Sequence, residues 1–174
     1  MDWDWHKLSE ETVWSGYRQI VTRHFRKPDG AYADFEIKKE GEAVCIMAIT
    51  DNQTVLLTKE FRPGPEIVLL ELPGGFKAPE EDAEEAARRE LLEETGYTGD
   101  FSFVGTSLAD AYSDMVRYNF VARNCHKVQE QATEENEHIE VVQMTIIEFR
   151  SHLRSGQLTD VATGYLGLDF LGLL

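Results

Sequence analysis

Between Pro73 and Gly99 the chain reads PGGFKAPEEDAEEAARRELLEETGYTG. Two adjacent glycines let backbone approach backbone closely, and the Ala, Leu, Arg and Glu that follow are strong helix formers. Pro79 suits the first turn of a helix, and the acidic residues from Glu80 to Glu85 suit the positive end of its dipole. Ala83, Ala87 and Leu91 recur every four residues and make the face that packs inward, and Gly96 is placed to end the helix in a left-handed conformation. The segment therefore demands a close-packed loop running into an amphipathic helix. It also carries a conflict. At about 100° per residue, Glu90, Glu93 and Glu94 share roughly one third of the helix circumference, where like charges repel. Something must offset that repulsion.

The flanks read mostly as strands. Tyr17 to Phe25 is rich in β-formers, Lys27 to Gly30 (KPDG) is a turn, and Phe35 to Lys38 alternates apolar and charged residues. Ala43 to Ile49 is a nearly continuous apolar run suited to a buried strand. Asp51 to Gln53 predicts a turn, Val55 to Phe61 a strand, Arg62 to Pro65 (RPGP) a loop, and Ile67 to Leu72 another strand. Beyond the helix, Phe101 to Leu108 and Val116 to Ala122 are β-like, Lys127 to His138 is a polar loop, and Ile139 to Ile147 is a strand. Two helices close the pattern: Ile147 to Ser155, stopped by Gly156, and Val161 to Leu173, capped by Thr159 or Asp160. Strands with one internal helix and terminal helices predict an α+β fold or a mixed sandwich.

The chain has 174 residues, 42% hydrophobic and 28% charged, which fits one domain with a sizeable core. We expect residues 1–174 to form a single domain. The formal net charge of -15 disfavours non-specific contact with nucleic acid or anionic lipid. It leaves a phosphorylated small molecule open, provided a cation mediates. No apolar run reaches membrane-spanning length, and the start, MDWDWHKLSEE, lacks the basic and apolar regions of a signal peptide. Two cysteines, Cys45 and Cys125, are too few for a disulfide framework and read as small buried hydrophobes. The expectation is a cytoplasmic protein.

Three converging carboxylates are hard oxygen donors of the kind Mg²⁺ takes, and a bound cation would offset their repulsion. A carbonyl from Gly74 or Gly75 could complete the shell, while Arg89 could hold carboxylates in place by charge-assisted hydrogen bonds. The bland alternative is a solvated acidic helix face. The full spacing favours the first reading. Gly75, five residues, Glu81, seven residues, then Arg89-Glu90-Leu91-Leu92-Glu93-Glu94-Thr95-Gly96-Tyr97 resembles the Nudix box, and Tyr97 is its one mild departure, at a place usually aliphatic.

The resemblance implies the Nudix fold, a mixed β-sheet sandwiched between α-helices. It implies hydrolysis of a nucleoside diphosphate linked to another moiety, with Mg²⁺ or Mn²⁺ as cofactor. Carried over by position, Glu90, Glu93 and Glu94 become metal ligands with Gly74 or Gly75, and Glu81 and Arg89 become supporting residues. The base often lies on a later loop in this family; Glu134, Glu135 and Glu137 occupy such a loop here, Glu137 being preferred, although each alone also reads as an exposed loop glutamate. KEFRPGPEIVLLELPGGF is similar to the ADP-ribose pyrophosphatase subfamily, placing Phe61 and Arg62 at the substrate. Arg62 could grip phosphate by two bonds, or be a loop surface arginine. Trp3, Trp5, Trp14 and Tyr17 could stack on a base, or serve the core or a dimer contact. Ala109-Asp110-Ala111-Tyr112-Ser113-Asp114-Met115 departs from that subfamily by lacking its proline and glycine and by putting Met115 at an acidic place. Another nucleoside diphosphate sugar is thus open. The resemblance also implies a homodimer, with residues 1–40 contributing. Competing readings are a housecleaning hydrolase of damaged nucleoside triphosphates and a non-catalytic nucleotide-binding module.

Overall fold

Extended backbone sends successive side chains to opposite faces, and that alternation builds the larger part of this structure. It is a computed structural model describing residues 3–133 and 138–174. The elements run β1 (His6–Ser15), β2 (Gln19–Arg26), β3 (Tyr32–Lys39), β4 (Glu42–Thr50), β5 (Thr54–Arg62), β6 (Ile67–Glu71), α1 (Ala83–Thr95), β7 (Tyr97–Leu108), β8 (Val116–Lys127), β9 (Glu140–Thr145), α2 (Ile146–Leu153) and α3 (Val161–Phe170). They group into two compact units, residues 42–107 with 117–174 and residues 3–41 with 108–116.

In the first unit the sheet runs in the order β6-β5-β4-β8-β7, with β9 also paired to β5. The β5–β9 register extends from Thr54 opposite Thr145 to Lys59 opposite Glu140, and the β5–β6 register from Thr58 opposite Glu71 to Arg62 opposite Ile67. The apolar run of β4 faces two cores. Cys45, Met47 and Ile49 join Val55, Leu57, Val121 and the helical Phe149, Leu153 and Leu168. Val44, Ile46 and Ala48 join Leu56, Phe120, Ala122 and Ala86, Ala87 and Leu91 of α1. Helix α1 thus covers one face of the sheet and α2 and α3 the other. This is the α+β sandwich expected. Each fully buried large side chain contributes about 1.5–3 kcal/mol relative to an exposed one, so a strand buried on both faces anchors the unit. Cys45 and Cys125 are both buried and unpaired.

Helix α1 begins at Ala83, later than Pro79. The Asp82 carboxylate accepts the N–H groups of Glu84 (2.8 Å) and Glu85 (3.4 Å) and so defines the N-cap. Pro79 falls instead in the turn closed by the Glu81 N–H to the Ala78 carbonyl (3.1 Å). At the other end Gly96 has φ 75°, and a Cβ there would meet the Gln129 carbonyl oxygen at 2.2 Å, so both conformation and contact require glycine. Helix α2 starts from a capping box between Thr145 and Glu148. Helix α3 ends at Phe170, short of Leu173. Asp160 occupies its N-cap position without a side-chain cap bond.

The second unit is an antiparallel sheet in the order β1-β2-β3. Residues 108–116 lie along β3, through the Lys38 N–H to the Tyr112 carbonyl (2.9 Å) and the Asp114 N–H to the Lys38 carbonyl (3.1 Å). Trp5, Phe25, Phe35 and Tyr112 form an aromatic cluster. Strand β1 is exposed along its whole length and had no sequence signal, because it pairs through backbone and buries neither face. Among the described residues no helix is long and apolar enough to cross a membrane.

Candidate active site

The double glycine is the seam between sheet and helix. Pro73 and Gly75 accept the N–H groups of Ile46 and Val44, each at 2.9 Å, so the loop after β6 runs against β4 as an extra ladder. A Cβ on Gly74 would meet the Val44 carbonyl oxygen at 2.3 Å, and one on Gly75 the Glu90 carboxylate at 2.5 Å. No other residue lets strand, loop and acidic side chain come this close.

The helix then delivers its carboxylates to that seam. Glu94, buried, accepts the Gly74 N–H at 2.9 Å. Arg89 gathers the rest. Its Nε and Nη2 donate to the two oxygens of Glu81 (2.9 and 3.1 Å), a forked pairing. Its Nη1 donates to Glu90 (2.7 Å) and Glu93 (3.1 Å), and Nη2 also reaches the Phe76 carbonyl (3.2 Å). The Arg89 guanidinium holds the Glu81 carboxyl below its ordinary range, helped by the Ala78 N–H, and Glu81 in turn pushes Arg89 further up. The conflict seen in the sequence is therefore met within the chain: a guanidinium sits among Glu81, Glu90 and Glu93. Among the described residues no group of three or more His, Cys, Asp or Glu side chains is already arranged to hold a metal ion.

The geometry so far is a glycine seam with four glutamates and an arginine, spaced as in the box described above. A model of the NUDIX domain matches residues 39–160. The chain belongs to the Nudix family. A relative over nearly its full length is an ADP-ribose pyrophosphatase of Bacillus subtilis, 28% identical over 162 residues that make 91% of this chain and 88% of that one. Another is a methanol dehydrogenase activator of Bacillus methanolicus, 26% identical over 170 residues, covering 93% and 92%. A crystal structure of an ADP compounds hydrolase superposes with a TM-score of 0.84 at 24% identity over all of both chains, which shows the same fold. The protein is a Nudix hydrolase.

Arg62 and Phe61, expected at the substrate of this Nudix hydrolase, are arranged less simply. Arg62, expected on a loop, is instead the last residue of β5, paired with Ile67, and it does not stand free: Nε donates to Glu71, and Nη1 lies 2.9 Å from Glu60. Phe61, one residue before it, projects outward and lines a depression of about 510 Å³ with Lys59, Val68, His138 and Ile139. Glu134, Glu135 and Glu137 lie outside the described residues. The residues just before them touch the C-terminal end of α1, through the Ala132 N–H to the Glu93 carbonyl at 2.9 Å. The early aromatics Trp3, Trp5, Trp14 and Tyr17 are all exposed, and of them Trp5 also packs against Phe25 and Phe35 in its own unit's cluster.

Sequence reasoning missed a second polar group. Glu71 is 0% exposed, yet it sits in the apolar run LLEL. Its carboxylate accepts Arg62 on one oxygen and the Thr159 N–H (3.3 Å) and hydroxyl on the other. Asp160 is also buried, and Arg117 lies 3.4 Å away. Burial pushes the Asp160 carboxyl up to about 6, against the pull of Arg117. A charged residue interrupting an apolar strand was the available signal, because a buried carboxylate needs partners from elsewhere in the chain.

Proposed function

We propose that this Nudix hydrolase cleaves the diphosphate of ADP-ribose or a similar nucleoside diphosphate sugar to a nucleoside monophosphate and a sugar phosphate, with Mg²⁺ or Mn²⁺. The observation that carries the reading is the Arg89-centred carboxylate cluster against the glycine seam. Glu90, Glu93 and Glu94 would hold the cation. Gly75's carbonyl already accepts the Val44 N–H, so Gly74 is the glycine we assign as the further donor. The donor set fits: every group is a hard oxygen. A cation held by these residues would supply charge screening for the diphosphate and would make a neighbouring water easier to deprotonate.

The remaining roles fall to the chain's own side chains. Arg89 and Glu81 orient the carboxylates. Arg62 contacts a phosphate oxygen, and Phe61 gives the substrate an apolar wall. A glutamate of the group Glu134, Glu135 and Glu137 takes the proton from the attacking water, Glu137 being preferred. Two copies associate through residues 1–40, a reading supported by the exposed Leu8, Val13 and Trp14 of β1. The unpaired, buried cysteines suit a reducing cytoplasm.

A nucleotide panel with Mg²⁺ tests the reading. ADP-ribose and related diphosphate sugars should yield AMP or the matching monophosphate faster than any triphosphate is cleaved. Preference for a damaged triphosphate would favour housecleaning. Binding without turnover across the panel would favour a regulatory module, an arm worth including because one full-length relative is named an activator.

A further inference from the structure

We propose that Glu71 and Thr159 are positioning residues that aim the Arg62 guanidinium at the substrate's diphosphate, an inference that rests on the reading of Arg62 as a phosphate contact. Glu71 lies between Leu70 and Leu72, both packed on the core that α2 and α3 cover. A carboxylate in that place is destabilising unless each oxygen finds a donor. The two donors come from different ends of the unit. Arg62, the last residue of β5, supplies Nε to Oε2. Thr159, two residues before α3, supplies its N–H and hydroxyl to Oε1.

The consequence is directional. Arg and a carboxylate ordinarily pair as two forks with two parallel bonds. Here Thr159 occupies Oε1, so Glu71 grips Arg62 by one oxygen. Nη1 meets Glu60 at 2.9 Å, and among the described residues Nη2 has no hydrogen-bond partner. The side chain is 37% exposed. Two carboxylates beside one guanidinium weaken its Coulombic pull on an anion, so the arrangement supplies orientation: Nε and Nη1 are each set against a carboxylate, and Nη2 keeps its donors for a ligand. Without the Thr159 hydroxyl, Oε1 becomes available to Nη2, and the fork closes on the protein instead of on phosphate.

The test uses the full chain with Thr159→Val, Thr159→Ser, Glu71→Gln and Arg62→Lys. Two readouts are taken: kcat and KM for ADP-ribose with Mg²⁺, and the affinity for inorganic pyrophosphate by titration calorimetry. Thr159→Val should raise KM and weaken pyrophosphate binding about tenfold, the scale of one hydrogen bond to a charged group, with kcat within about twofold. Thr159→Ser should restore both values. Glu71→Gln should act in the same direction, and Thr159→Val should add nothing to Arg62→Lys. The proposal is overturned if Thr159→Val binds pyrophosphate as the wild type does while Arg62→Lys is weakened. It also falls if Arg62→Lys itself binds normally, which would remove the phosphate contact. An absence of hydrolysis across the panel would end the hydrolase reading, but the pyrophosphate titration would still decide this one. Should Glu71→Gln fail to fold, the threonine pair decides alone.

Discussion

Single residues in this site do different work although they carry the same side chain. Glu93 is 44% exposed and, among the described residues, its carboxylate is held by Arg89, whereas Glu94 is buried and holds the Gly74 N–H. Both Glu93→Ala and Glu94→Ala should lower Mg²⁺-dependent turnover of ADP-ribose by 100-fold or more, on the order of one lost electrostatic contact in a transition state. Their stabilities should diverge. Chemical denaturation should find Glu93→Ala within about 0.5 kcal/mol of wild type, and Glu94→Ala lower by about 1–3 kcal/mol, because the second removes a buried side chain and leaves the half-buried Gly74 N–H without its acceptor. Equal stability losses would contradict this division. Asp160 allows a pH test. Its folded carboxyl titrates near 6, above the ordinary 3.8. A raised folded value means that its contribution is complete below 3.8 and is lost as pH rises through 6. Asp160→Asn escapes that loss, so its stability relative to wild type should improve by up to about 3 kcal/mol between pH 3.5 and pH 7. Denaturation midpoints across that range measure it, and a flat difference would show that Arg117 compensates fully.

At the scale of elements, α1 is defined by its ends. Asp82→Ala removes the acceptor for Glu84 and Glu85 and should cost about 1 kcal/mol of unfolding free energy. Gly96→Ala should cost more, since it forces a left-handed backbone and pushes a methyl onto the Gln129 carbonyl. Thermal melts that reverse this order would show that the backbone at residue 129 yields to a methyl group at residue 96. The same elements explain where the chain's pattern was readable. Ala43 to Ile49, Val55 to Phe61, the Gly96 stop and the internal helix were visible because period and terminator agree. The start of α1 was misplaced because Pro79 and Asp82 are both legitimate start signals, and only the hydrogen bond of Asp82 separates them. Strand β1 was invisible because HKLSEETVWS is exposed on both sides and carries no alternation.

For the whole molecule, β1 makes the sharpest prediction. A strand that presents Leu8, Val13 and Trp14 to solvent in an otherwise acidic protein suits burial by a second copy. Sedimentation equilibrium should find a dimer, and Val13→Glu with Trp14→Glu should shift it toward monomer by placing like charges in the contact. A wild-type monomer at micromolar concentration would remove the dimer proposal.

What the residues determined unaided was the local chemistry: a helix, its inward alanines, its glycine end, and a spacing of Gly75, Glu81, Arg89, Glu90, Glu93 and Glu94 that specifies a family. Those properties depend on neighbours within a few turns of chain, and such neighbours are written in order. Tertiary structure alone decided who neutralises whom. Arg89 reaches back eight residues to Glu81, Glu94 meets Gly74 across twenty, and Glu71 finds Thr159 across eighty-eight. A buried charge announces that it needs a partner but not which one, because the partner is chosen by the strand register and helix packing that bring distant segments into contact.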